Sequence, residues 1–122
     1  LVIEHKILAE CYKICGDLKK AIEFVIQGIK LHYTLKKEVR NDFFLSACYN
    51  YLSKLYLLDD NLEQGLLHQE NAVYVLEQIN IKDSEYLLLM YQILKHLYKT
   101  KGNLVQEKMI IEKISQDKKN GN

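Results

Sequence analysis

The sequence contains no proline and no tryptophan, and only five of its 122 residues are glycine. All-β, collagen-like and low-complexity chains use proline and glycine often, so their scarcity argues against these classes. Apolar runs such as Leu87–Met90 are short, whereas a membrane-spanning helix needs roughly 20 apolar residues. The sequence also shows no basic, apolar and small-residue leader. We therefore expect one all-helical cytoplasmic domain without membrane contact.

Neither sign of charge is in excess. The 17 basic and 16 acidic residues give a formal net charge of +1. A nucleic-acid-binding domain usually carries a clustered excess of positive charge. Here the one notable cluster is Lys118–Lys119, in a polar tail, and Arg40 is the sole arginine able to make planar bidentate contacts. We expect no direct nucleic-acid contact by this segment.

The chain has only three cysteines, which is an odd number: Cys11, Cys15 and Cys48. Without an export signal, this pattern predicts free thiols in a reducing cytosol. Cys11 and Cys15 are four residues apart, but no second Cys/His pair stands at zinc-like spacing. Because their neighbours are apolar and a buried cysteine behaves as a small hydrophobe, we expect buried thiols and no metal site.

Apolar residues recur at the three- and four-residue spacing of amphipathic helices along almost the whole chain. Short polar clusters divide this pattern into six predicted helices, at about 2–15, 18–35, 42–58, 62–79, 84–100 and 104–116. Four of the helices follow a residue that can accept hydrogen bonds from their free N–H groups: Asp17, Asn61, Asp83 and Asn103. The chain is therefore predicted to be all-α.

The predicted helices form three similar pairs. When the chain is aligned on the polar turns at Gly16, Asp60 and Gly102, each pair shows a leucine, a tyrosine four residues later, the turn and a capping residue. These leucines and tyrosines are Leu8, Leu52 and Leu94, and Tyr12, Tyr56 and Tyr98. The turns lie 44 and 42 residues apart. Such a constant register indicates an internal repeat.

The repeat resembles the tetratricopeptide repeat (TPR) family. The family signature runs leucine, small residue, tyrosine, turn glycine and two alanines, and the first copy matches it best, with Leu8-Ala9, Tyr12, Gly16-Asp17, Ala21 and Gly28. The second copy has Asp60 at the turn and Gln69 at a late apolar position. The third has Lys95 and Glu107 where small residues are expected.

The resemblance implies a right-handed superhelical array of three antiparallel helix pairs, an α-solenoid. The repeats are expected at about 1–38, 41–81 and 83–116, followed by a disordered polar tail at 117–122. The tyrosines are expected to pack between the two helices of each pair.

No catalytic constellation is evident. The four histidines stand on different predicted helices, without a serine or an acid at a motif spacing: His5, His32, His68 and His96. The glycines are isolated, so no phosphate-binding loop is predicted. We expect no enzymatic activity and no cofactor, and we expect His68 on the surface.

A ladder of polar residues on the first helix of each pair points to function. Lys6, Glu10 and Lys13 share one helix face, because they stand at i, i+4 and i+7. In the TPR family the first helices line a concave surface that contacts extended peptides. The resemblance therefore implies a peptide-binding groove with in-register residues from all three repeats: Lys6, Glu10, Lys13, Asn50, Lys54, Gln92, His96 and Lys99.

Asn50 and Lys54 interrupt a helix that is otherwise dominated by apolar and aromatic residues, 43–58. A buried polar group without a partner costs on the order of a few kcal/mol, so we expect this stripe to face water or a ligand. An asparagine side chain can donate to and accept from a peptide backbone, and a lysine can bind a carboxylate. The alternative is that this stripe is only the solvated face that every helix needs.

The two ends of the array are apolar. The sequence opens on Leu1, Val2 and Ile3 without a preceding helix to cover them, and the apolar residues of the last helix spread over more than one face. A capping helix should have a polar outer side. Either adjacent repeats are missing or these surfaces meet another chain, and we expect a homo-oligomer.

Long degenerate repeats and a lysine-rich, arginine-poor composition make the chain most similar, within the TPR family, to Gram-positive peptide-sensing regulators. That resemblance implies the ligand-sensing and dimerisation domain of a quorum-sensing transcriptional regulator, in which a bound peptide shifts the population of curvatures. Two alternatives remain open: an adaptor or co-chaperone scaffold that holds a partner protein without a switch, and a regulatory subunit that acts on a response-regulator protein.

Overall fold

The computed structural model describes residues 2–79 and 84–119. These residues form six α-helices and no strand, which confirms the predicted all-α class. The helices are α1 Val2–Ile14, α2 Leu18–Thr34, α3 Asp42–Leu58, α4 Leu62–Gln78, α5 Ser84–Lys101 and α6 Leu104–Lys119. A short 3-10 helix, Lys37–Val39, lies between α2 and α3. No helix in the described ranges is long and apolar enough to cross a membrane.

The ends of α1 to α5 lie within one residue of their predicted positions, whereas α6 continues to Lys119. Residues 117–119 were expected in a disordered tail and are instead helical. Ile110 and Ile114 are buried and Asp117 is half-buried, so the inner face of α6 persists past the predicted end. Residues 120–122 and the predicted cap Asp83 lie outside the described residues.

Each pair is joined by the same tight turn. Gly16, Asp60 and Gly102 all have positive φ angles, of 84°, 56° and 80°. The next residue donates its backbone N–H to the carbonyl of the repeat tyrosine at 2.8 to 2.9 Å: Asp17 to Tyr12, Asn61 to Tyr56 and Asn103 to Tyr98. This bond, which closes the first helix in a Schellman motif, explains why tyrosine and turn keep a constant spacing.

The residue that closes the first helix also starts the second. The side chains of Asp17, Asn61 and Asn103 accept hydrogen bonds from the backbone N–H three residues later, at 3.1 to 3.2 Å. Three of the four predicted N-caps are therefore confirmed. Asn41 caps α3 in the same way, through the N–H of Phe44.

The repeat tyrosines contact the second helix of their own pair. Tyr12 stacks on Phe24 with ring centroids 5.3 Å apart, and Tyr56 stacks on His68 at 5.4 Å. Phe24 and His68 occupy the same register position, which in the third repeat is the buried Ile110. The tyrosines therefore lie between paired helices in repeats one and two, as the repeat pattern predicts.

Small residues allow the two helices of a pair to approach closely. A Cβ on Gly65 would lie 2.7 Å from the Leu57 side chain, so α3 and α4 leave no room for one. Of the three pairs, α3 and α4 pack most extensively and α5 and α6 least. The third pair has Lys95 and Glu107 at the positions that small residues occupy in the first two.

Candidate peptide-binding face

The first helices of the three pairs are neighbours on one surface of the molecule, here called the first-helix face. The ammonium groups of Lys6 and Lys13 on α1 lie 5.7 and 5.8 Å from the ring centroid of Tyr51 on α3. Phe43 on α3 meets Tyr86 on α5, with centroids 4.8 Å apart. Helices α1, α3 and α5 thus present their side chains side by side.

The α1 part of the predicted ladder is assembled around Tyr51. The Tyr51 hydroxyl donates to the Glu10 carboxylate, and Lys13 forms an ion pair with Glu10 at 3.2 Å. The hydrogen bond from Tyr51 and then that from Lys13 lower the pKa of Glu10. Burial, followed by the bond to Glu10, raises the pKa of Tyr51. Glu10 is therefore held as a carboxylate between two donors.

An open cavity of about 330 Å³ lies beside this cluster, between the C-terminal halves of α1 and α3. Its lining is mainly apolar, with a lysine from each helix: Lys13, Tyr51, Lys54, Leu55, Leu57 and Leu58. Leu55 is fully buried, while Leu58 and Lys54 are exposed. A cavity of this composition can take an apolar side chain while its ammonium groups meet polar atoms beside that side chain.

The third repeat extends the face with three polar residues of α5. His96 and Lys99 are exposed, and Gln92 is half-buried. Together with Lys6, Glu10, Lys13 and Lys54 they offer partly or fully accessible polar groups on all three first helices. That these residues bind a peptide remains a prediction.

Asn50 differs from its expected position. Its side chain is only 7% exposed, and its Nδ2 donates to Oε1 of Gln69 at 2.8 Å. Gln69, fully buried on α4, donates in turn to the Met90 carbonyl on α5 at 3.3 Å. The expectation that Asn50 faces water or a ligand is therefore wrong, because Gln69 supplies the partner that a buried amide needs.

The sequence does carry a signal for this pair. Gln69 stands in register with the buried Val25 of the first repeat, so it places an amide where the pattern requires an apolar residue. Two amides on neighbouring helices can satisfy each other. Of the in-register groove residues Lys6, Asn50 and Gln92, the central one is consequently buried.

The cysteines also differ from expectation. Cys48 is buried, and burial raises the pKa of its thiol, but Cys11 and Cys15 are exposed. Cys11 stands in register with the buried Leu55, which the preceding helix pair covers; no described helix precedes α1. No group of three or more His, Cys, Asp or Glu suited to a metal ion occurs among the described residues.

Two side chains that sequence analysis left unplaced are engaged internally. His32 is buried, with Nε2 at 3.1 Å from Oδ1 of Asp42. The Nε of Arg40 lies 3.2 Å from the same oxygen. The central carbon of its guanidinium group, Cζ, lies 5.5 Å from the ring centroid of Tyr33. The single guanidinium of the chain is thus occupied between α2 and α3.

His68 is half-buried rather than on the surface. Its ring lies parallel to those of Tyr49 and Tyr56, at centroid distances of 6.1 and 5.4 Å. These tyrosines stand two turns apart on α3, so the imidazole lies between them. Burial lowers the pKa of His68.

Comparisons with known proteins identify the fold. No family model matches the sequence, and no curated protein is detectably similar to it. BtubC (BKLC) from P. vanneervenii matches 99% of the chain with a TM-score of 0.79 and 17% identity. A putative kinesin light chain with TPR-like repeats from Podosopora anserina, and a single-residue variant of it, match 96% and 95%, each with a TM-score of 0.69 and 17% identity.

The chain spans about half the length of these solved structures: 48% of BtubC, and 55% and 54% of the two kinesin light chain structures. At 17% identity the likeness concerns the fold. The match extends over almost the whole chain and agrees with the internal register of three helix pairs. The chain therefore has a TPR-like repeat fold.

Proposed function

We propose that this chain is a protein- or peptide-binding module and that its ligand lies along the first-helix face. The observation that supports the proposal is the cavity between α1 and α3, with an apolar floor and one lysine from each helix. TPR-like repeat folds generally mediate protein–protein interaction.

An extended segment suits this face for a physical reason. Its backbone groups need hydrogen-bond partners once they leave water, and the exposed polar residues of α1, α3 and α5 provide donors and acceptors at intervals. An apolar side chain that enters the cavity loses contact with water, which contributes about 25 cal/mol per Å² of buried apolar area. The hydrogen bonds and the burial of the apolar side chain together set the affinity of the segment and its register on the face.

Selection from a displayed library of random peptides tests this proposal. Enriched peptides, resynthesised with a fluorophore, are titrated with the wild-type chain and with Lys54→Glu. We expect Lys54→Glu to weaken binding about tenfold, because it reverses the charge at the mouth of the cavity. Lys30→Glu is the matched control, since Lys30 is also exposed but lies on the second helix α2.

The proposal fails if no peptide is enriched over a blank surface, or if Lys30→Glu and Lys54→Glu weaken binding equally. In the latter case the ligand responds to the overall charge of the molecule and does not occupy the first-helix face.

Within this class, we propose the sensing and dimerisation domain of a bacterial transcriptional regulator, and we retain the scaffold as the alternative. The kinesin light chain structures share the fold and do not favour either alternative. A switch requires the ligand to bind one conformation more tightly than another. Small-angle X-ray scattering with and without a selected peptide separates the two: a changed radius of gyration supports the regulator, and an unchanged one supports the scaffold.

A further inference from the structure

A second cavity lies where the first repeat meets the second, at the segment that connects α2 to α3. It is lined by the last turns of α2 and α4, by the connection and by the first turn of α3. Its volume is about 370 Å³, within the roughly 300–1,000 Å³ of small-molecule pockets. We call it the junction cavity, and Tyr33, Arg40 and Gln78 mark its three walls. It shares no lining residue with the cavity between α1 and α3.

The connection brings two basic residues to the junction cavity. Lys37 begins the short 3-10 helix, and the backbone N–H of Arg40 donates to the carbonyl of Lys37 at 3.4 Å. Residues three positions apart in a 3-10 turn lie above one another, and both side chains line the cavity. Asn41 then caps α3 and fixes the point at which the connection enters that helix. The local backbone therefore brings an ammonium and a guanidinium group to one place.

The guanidinium of Arg40 is held on one edge and one face. Its Nε is buried and lies 3.2 Å from Oδ1 of Asp42, but it is not aligned for a hydrogen bond. The Tyr33 ring packs against the face, with its centroid 5.5 Å from Cζ. Within residues 2–79 and 84–119, the terminal nitrogens Nη1 and Nη2 have no hydrogen bond or ion pair. These two nitrogens form a planar fork that fits the two oxygens of a carboxylate.

The charges at the junction cavity do not balance. Arg40 and Lys37 bring two positive charges and Asp42 brings one negative charge, which leaves one positive charge in excess. The Asp42 oxygen near Arg40 also lies 3.1 Å from Nε2 of His32, so two groups share it. Glu38 is exposed and does not line the cavity. A monoanion restores neutrality, whereas a phosphate ester with a charge of about −1.5 to −2 would leave a negative excess beside Asp42.

The junction between the second and third repeats shows how the chain itself satisfies a cation. Glu77 accepts hydrogen bonds there from the Tyr91 hydroxyl at 2.7 Å and from Nζ of Lys113 at 2.9 Å. Glu77 stands in register with Tyr33, so the first junction has a phenol where the second has a carboxylate. The two cations of the junction cavity therefore lack the internal carboxylate that Lys113 has, and a ligand can supply it.

The remaining lining of the junction cavity is mainly apolar. Leu45 is buried, and Val75 and Ile79 are half-buried. The rings of Tyr33 and Tyr74 add aromatic surface. An apolar group that enters loses contact with water, which contributes about 25 cal/mol per Å² of buried apolar area. The cavity thus combines one anion site with room for an apolar body.

We propose that the junction cavity binds a small monocarboxylate with an apolar body. The carboxylate lies on the terminal nitrogens of Arg40 with the Lys37 ammonium nearby, and the apolar body lies against Leu45, Val75 and Ile79. The site shares no residue with the predicted peptide-binding groove, so it can fail without the function proposed above, and that function can fail without it.

The side-chain resonance of Arg40 provides the test. Arg40 is the sole arginine of the chain, so its Nε–Hε group gives a single signal in ¹H–¹⁵N spectra of the whole chain. Titration with 3-phenylpropionate is expected to shift this signal saturably, with a dissociation constant on the order of 1 mM. The uncharged 3-phenylpropionamide should leave it unchanged, and phenyl phosphate should bind more weakly than 3-phenylpropionate.

Three variants test the roles of the two cations, with the backbone amide of Gln78 as the readout. Arg40→Lys keeps the charge but loses the fork, and should weaken 3-phenylpropionate binding about tenfold. Lys37→Met should weaken it about threefold, as expected for an exposed ion pair. Lys36→Met is the matched control, because Lys36 is also exposed but does not line the cavity, and it should have no effect.

Four results would each overturn the assignment. They are the absence of a saturable shift, equal binding of the amide, tighter binding of phenyl phosphate, and equal weakening by Lys36→Met and Lys37→Met. The last would show that the probe responds to the overall charge of the connection and does not occupy the junction cavity.

Discussion

At the scale of single residues, the buried amides of Asn50 and Gln69 join three helices. Asn50 on α3 donates to Gln69 on α4, and Gln69 donates to the backbone of Met90 on α5. The Nδ2 of Asn50 and the Oε1 of Gln69 are therefore each other's partners, whereas the Nε2 of Gln69 is bonded to Met90. The pair therefore connects the second repeat to the third through polar contacts inside an otherwise apolar core.

Gln69→Leu is expected to lower the free energy of unfolding by about 1–3 kcal/mol, because it leaves the buried Asn50 amide without a partner. Asn50→Leu combined with Gln69→Leu removes both amides and should be less destabilised than Gln69→Leu alone. Urea denaturation of the wild type, both single variants and the double variant measures the coupling. Additive losses would show that the two amides do not depend on each other.

His68 gives stability a dependence on pH. Burial lowers its pKa in the folded chain, so the unfolded chain binds the proton more readily. The stabilising contribution is therefore complete above the ordinary histidine pKa of about 6.5, and it is lost as pH falls from there towards the lowered folded value.

His68→Phe is expected to reduce this acid sensitivity. Phe24 occupies the same register position and stacks on Tyr12, so a phenylalanine should preserve the stack on Tyr56. Between about pH 7.5 and about pH 5.5, the wild type should lose more free energy of unfolding than the variant, by at most about 1.4 kcal/mol per pH unit. Equal losses in urea titrations of both proteins would contradict the assignment.

At the scale of helices and turns, the Schellman turn organises each pair. A positive φ costs an L-residue roughly 1–2 kcal/mol, a penalty that glycine avoids. Two of the three turns have glycine at this position, but the second has Asp60 with φ of 56°. Asp59, immediately before it, has an ordinary φ of −91°.

Asp60→Gly is therefore expected to stabilise the chain by about 1 kcal/mol, and Gly16→Ala to destabilise it by a similar amount. Asp59→Gly is the matched control, since a glycine there relieves no strain and should not stabilise. Thermal and urea unfolding of the three variants measures these effects. A stabilising Asp59→Gly would indicate that the charge of the turn, and not its backbone angle, limits stability.

The helices could be predicted because their determinants are local. Caps, turns and apolar spacing act within a few residues, which is why α1 to α5 end within one residue of their predicted positions. Whether the side chains of Leu8, Cys11 and Asn50 are buried or exposed depends instead on which helix packs against them. One sequence pattern gives a buried leucine at position 52 and an exposed one at position 8, because only the former has a preceding helix pair in the described structure.

At the scale of the whole molecule, the absence of proline fits the long repeat. A standard TPR unit is 34 residues long and proline cannot continue a helix, whereas α2 and α4 here each run for 17 residues. Three such pairs place α1, α3 and α5 side by side, and this common face gives the cavity between α1 and α3 its two lysines. The proposed binding function depends on that placement.

The most direct test of the proposed function is a map of where a ligand lies. In ¹H–¹⁵N spectra of the labelled chain, a library-selected peptide is expected to shift the amide resonances of Lys13, Tyr51 and Lys54, with further shifts along α5 around His96. The exposed positions of α2, such as Lys30, should remain unchanged. Shifts centred on the second helices, with Lys13, Tyr51 and Lys54 unaffected, would contradict a binding site on the first-helix face.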